Sequence, residues 1–79
     1  MNKLKLKIAT PVYVVYFYHP ENNDDFGEIR MAIGEKEAVE VSRSGADTDI
    51  GYYAFMAKKA VQGCVEKRNF PLEFTQAWH

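Results

Sequence analysis

Cys64 is the only cysteine in the chain, and that scarcity removes two possibilities at once. No disulfide can close within the chain, and no cysteine-rich zinc site can be assembled. A reducing, cytoplasmic setting is the expectation. Histidine is nearly as scarce. His19 stands beside a proline, His79 is the last residue, and no His-x3-His or Cys-x2-Cys spacing occurs, so no metal is expected. Long hydrophobic runs are missing too. The apolar stretch over residues 8–18 is well short of the ~20 residues that a membrane helix needs. Lysines alternate with Leu4, Leu6 and Ile8 before it, and no small-residue cleavage site follows, which argues against a secretory leader. No membrane association is expected.

The catalytic vocabulary is equally thin. Ile33-Gly34-Glu35-Lys36 offers one glycine and an acid where a phosphate-binding loop uses several glycines. Ser42 and Ser44 have no G-x-S-x-G context. Cys64 falls late in a helical pattern, on its apolar stripe, away from any group that would lower its pKa. The acids of residues 19–27, HPENNDDFG, do not follow the calcium-loop spacing, and turn formation accounts for them. With no nucleophile, base and orienter to name together, the chain is read as non-enzymatic and without a cofactor.

What is present is an ordinary globular mixture. Apolar residues make up 47% and charged residues 27% of 79 positions, enough for one core and not two. Residues 1–79 are therefore read as a single domain. Net charge is −1 but unevenly placed: three lysines and no acid in residues 1–18, nine acids against three basic residues in 19–50, and four basic against two acidic residues in 51–79.

Leu4, Leu6, Ile8, Val12, Val14, Tyr16 and Tyr18 share one parity, which places them on one face of an extended chain. Pro11 cannot donate to a ladder, so that run is read as two consecutive strand segments. Residues 19–27 form a long hairpin loop. Ile29, Met31 and Ile33, then Val39 and Val41, mark two short strands around a tight turn. Asp47, Thr48 and Asp49 are cap residues for a helix over about 49–68, whose stripe is Ile50, Tyr53, Ala54, Ala57, Ala60, Val61, Cys64 and Val65. Asn69 serves its C-terminal turn. Phe70, Leu72, Phe74 and Trp78 alternate in a final edge strand, or else form a packed tail. The fold class is α+β: an antiparallel β-meander of three to four strands with one α-helix packed on one face, β-β-β-α-β.

Two apolar surpluses are left over. Tyr52, Phe55 and Met56 project from the helix opposite its small-residue stripe, and Tyr13, Val15 and Phe17 fall on the sheet face opposite Val12, Val14 and Tyr16. Aromatic residues and methionine concentrate in interface cores. Tyr52, Phe55, Met56, Tyr13 and Phe17, with the acids Asp24, Asp25 and Glu28, are the candidate partner-binding residues. The tail, a second copy of the chain or a foreign partner would each cover such surfaces.

Strands followed by a helix over residues 11–64, with Lys58 and Lys59, are similar in layout to the second half of a double-stranded RNA-binding domain. That family places lysines at the helix start, where Gly45-Ala46-Asp47-Thr48-Asp49 stands here, and acids at that position repel phosphate. The activity is not carried over, and direct nucleic-acid binding is not expected. Lys3, Lys5 and Lys7 are read as guarding an edge strand. With exposed Tyr13 or Phe17 they are also the basis of the alternative reading, a nucleic-acid module. A free-standing domain of this size, with a meander, one helix and an acidic segment over residues 21–40, resembles small phage-encoded accessory proteins, including anti-CRISPR inhibitors. The resemblance implies a binding protein that docks on and inhibits a larger host protein or ribonucleoprotein, a CRISPR effector among them. A structural homodimer is the remaining alternative.

Overall fold

The computed structural model describes residues 1–78, so His79 lies outside the described residues. Five strands and one helix follow in the order β1 Asn2–Ala9, β2 Tyr13–Pro20, β3 Gly27–Ala32, β4 Val39–Ser42, α1 Tyr52–Lys67 and β5 Glu73–Gln76. The strands form one antiparallel sheet in the spatial order β4-β3-β2-β1-β5. The helix packs on one face of it, as the α+β reading requires.

Pro11 has the consequence its missing N–H implies. The chain reverses at Pro11–Val12, where Thr10 Oγ1 accepts the N–H groups of Val12 and Tyr13 at 3.1 and 3.0 Å. The two strand segments thus pair with each other as β1 and β2, and the sheet has five strands. The shared parity does not survive this turn. A register shift between Leu6 and Ile8 turns Ile8 outward, and Val12 sits on the exposed turn.

β1 is an interior strand, flanked by β2 and β5. Edge protection therefore does not explain Lys3, Lys5 and Lys7. The sheet edges are β4 and β5, and β5 is the expected final edge strand, shortened to four residues. It is held at Asn2↔Gln76 through Lys5↔Glu73.

The core lies between sheet and helix. Leu4, Val14, Tyr16, Tyr18, Ile29, Met31 and Ala38 meet Ala54, Ala57, Val61 and Val65, with Phe70 and Phe74 packed against them. Small residues on the helix stripe let it approach the sheet closely, and the aromatic rings of β2 fill the space. Each large side chain so buried contributes about 1.5–3 kcal/mol. The remaining hydroxyls find carbonyls or carboxylates: Tyr16 donates to Pro71 O at 2.7 Å and Tyr18 to Asp47 Oδ2 at 2.9 Å. Burial pushes both phenols well above the ordinary tyrosine range.

The helix starts at Tyr52 rather than Asp49, because Gly51 immediately before it takes the left-handed conformation, φ 70°, and side chains from upstream reach past it to the first turn. Asp47 accepts the N–H groups of Tyr53 and Ala54, both at 2.9 Å, and Thr48 Oγ1 accepts that of Tyr52 at 3.0 Å. Ile50 consequently lies outside the helix and is 85% exposed instead of joining the apolar stripe. At the other end Arg68 takes the left-handed conformation, φ 51°, and Asn69 N–H returns to Cys64 O at 3.0 Å. That is the Schellman closure, with Asn69 just past the left-handed residue.

Candidate functional site

The eight candidate residues do not form one patch. The structure divides them between opposite sides of the molecule. Tyr52, Phe55 and Met56 lie on α1, while Tyr13, Phe17 and Glu28 lie on the sheet face that the helix leaves open.

On the helix side, Tyr52 and Phe55 remain 40% and 49% exposed. The tail returns over this region only in part. Trp78 packs edge-on to Tyr52 at 5.8 Å and lies 5.5 Å from Tyr53, and Gln76 Nε2 donates to Met56 O at 2.7 Å. Phe55 is left outside that cover, with Lys59 Nζ 4.6 Å above its ring. A shallow groove beside it is lined by Glu37, Ala38, Phe55, Lys58, Lys59 and Gln62. Gln62 Oε1 fixes one wall by accepting Ala38 N–H at 3.0 Å. Glu21 accepts the Tyr53 hydroxyl at 2.8 Å, and the Met1 amine and that hydroxyl together hold its carboxyl below the usual range.

The acidic candidates separate as well. Asp25 is a structural acceptor: its Oδ1 takes Gly45 N–H at 3.0 Å and its backbone carbonyl takes the Ser44 hydroxyl at 3.0 Å, tying two loops together. Glu28 pairs with Lys7 at 3.0 Å on the open sheet face. Asp24 is exposed in the loop between β2 and β3. The acids beside the helix patch are instead Glu21 and Glu37, which charge counting along the chain did not single out.

The open sheet face collects residues in rows across the strands. Lys3 stands between Thr75 and His19, and Lys5 between Glu73 and Phe17, with Glu28 next beyond Phe17. The following row is Ile8, Val15, Arg30 and Val39. Among the described residues no element covers this face, yet Val15 is only 6% exposed, because its neighbours fold over it. Arg30 lies 4.4 Å from the Tyr13 ring centroid, Lys7 lies 5.5 Å from that of Phe17, and Phe26 packs on Phe17 at 4.7 Å. Cations over rings contribute about 0.5–1 kcal/mol each at exposed sites. Ile8, Phe26, Val39 and Val41 remain largely exposed around this cluster. Sequence parity alone could not have placed Ile8 here, since the register shift is invisible in the residue pattern.

For chemistry, Cys64 is half-buried between helix and tail, and burial raises its thiol pKa, the reverse of an activated nucleophile. His19 lies in β2, 5.4 Å from Phe26, with its Nδ1 2.9 Å from Asn23 O. Among the described residues no three His, Cys, Asp or Glu side chains group as metal ligands. Among the same residues no helix is long and apolar enough to cross a membrane. Compared with protein-family models, curated proteins and solved structures, the chain matches none.

Proposed function

We propose that this chain is a non-catalytic binding domain that docks on a larger protein through the aromatic patch of α1. The observation that carries this reading is the persistence of exposed aromatic surface at Tyr52 and Phe55 even though Trp78 folds back beside them. Aromatic and methionine side chains anchored on a rigid helix and rimmed by charge are the usual make-up of binding hot spots. Phe55 is the central anchor, Tyr52 and Met56 flank it, and Glu37, Lys58 and Lys59 form the polar rim. Inhibition of a host macromolecule such as a CRISPR effector, the role implied by the likeness to phage accessory proteins, belongs to this proposal. A small rigid domain with one protruding patch is suited to occluding a groove on something larger.

Nucleic-acid binding is the weaker reading. Lys3, Lys5, Lys7, Tyr13 and Phe17 do share the open face, but Lys7 and Lys5 face Glu28 and Glu73, and the rings are already covered by their own cations.

The test is capture of partners from nuclease-treated bacterial lysate by the tagged chain and by Phe55→Ser, with folding verified by circular dichroism. A stoichiometric protein retained by the parent and lost by the variant is the expected result. Equal retention by both, or recovery that needs intact nucleic acid, overturns the reading.

A further inference from the structure

The geometry points to the open sheet face as a homodimer interface, with a second copy of this chain as its occupant. This inference rests on residues separate from the α1 patch and goes beyond the reading above.

Charge is unevenly ordered across the sheet. Lysines occupy β1, to one side of the central strand β2, with Glu73 beyond Lys5 on β5, and the acid Glu28 occupies β3, on the other side, with Arg30 in the next row. Suppose two copies stack face to face about a two-fold axis running along β2. Each residue on β1 then lies over the same row of β3 in the second copy. Lys5 meets Glu28 of the second copy, adding to the Lys7 that already holds that carboxylate within its own chain at 3.0 Å, and Phe17 meets its own counterpart. The other in-plane axis, across the strands, would set the lysine row upon itself, which like-charge repulsion disfavours. The axis along β2 is thus the one that brings a lysine over an acid.

Composition and size agree with that arrangement. The centre of the face is aromatic, Tyr13 and Phe17 beside the buried Val15, and the flanking Val39, Val41 and Ile8 are 62%, 54% and 42% exposed in the single chain. The molecule measures 31 × 22 × 20 Å. The product of the two longest extents, roughly 700 Å², is an upper bound on the footprint, which puts the pair at the low end of the ~800 Å² per partner of a specific interface. Stacked sheets align within about 30° at a spacing of about 10 Å, which keeps the central rows in contact. In such a pair both helices face outward.

Sedimentation velocity across micromolar to millimolar concentrations tests this directly. The expected result is a concentration-dependent mass reaching twice the 9.1 kDa of one chain. Lys5→Glu and Glu28→Lys are each expected to weaken association about tenfold, ~1.4 kcal/mol, and the double exchange to restore it. Phe17→Asp abolishes it, with circular dichroism confirming the fold of each variant. A monomer at every concentration, assembly beyond a dimer, or a double exchange no better than the single ones overturns the inference.

Discussion

Asp47 holds more of the structure together than any other polar residue. Its carboxylate accepts the Thr48 N–H at 2.7 Å, the Tyr53 and Ala54 N–H groups and the Tyr18 hydroxyl, and that hydroxyl in turn accepts Ser44 N–H at 3.0 Å. Burial alone would raise its pKa, but the donors from Tyr53, Tyr18, Ala54 and Thr48 outweigh burial and hold it below the ordinary value. The folded-state pKa is therefore lower than the unfolded one. The associated stability is complete above about pH 4, the unfolded carboxylate value, and is lost as pH falls through the folded value. Asp47→Asn is expected to cost about 1–2 kcal/mol at neutral pH and to flatten the loss of stability on acidification, read by urea unfolding over a pH series. The capping role was legible in the sequence from Asp47 preceding an apolar helical pattern. Its bond to Tyr18 was not, because nothing local links residues 29 positions apart.

At the level of elements, the β2–β3 pairing turns on Gly27 facing Tyr18. A Cβ at Gly27 would collide with the Tyr18 ring and lie 2.6 Å from Ser42 O, so a core ring and a neighbouring strand both depend on the missing side chain. Gly27→Ala is expected to destabilise the domain by about 1–3 kcal/mol or more, the range for overpacking, measured as a fall in urea midpoint at unchanged m-value. Alternation revealed β2 and β3 correctly, since Val14, Tyr16, Tyr18, Ile29 and Met31 are all buried. It failed for Ile8 and Val12, where a bulge and a two-residue turn reset the phase, and for β1, which reads as a guarded edge until β5 pairs beside it. The two sides of the candidate site were each legible as apolar surplus. Their separation by the thickness of the sheet follows from which face receives the helix, and no residue count along the chain specifies that.

For the whole molecule, the two surfaces make separable claims. The α1 patch and the open sheet face share no residue and lie on opposite layers. Phe55→Ser is therefore expected to leave the sedimentation behaviour of the parent unchanged, and Lys5→Glu to leave partner capture per chain unchanged. Loss of both properties in either variant would show that the surfaces act as one. The pairing of Asn2 with Gln76 has a different kind of consequence. The first and last strands are neighbours, so the most distant parts of the sequence must find each other before the sheet is complete, the slow kind of contact in folding. Joining them by a short linker and reopening the chain at the exposed turn around Gly34 would convert β5–β1 into a local hairpin. The long-range pairing would then pass to β3–β4 on the other side of the sheet, so the same fold would be kept while its slow contact changes place.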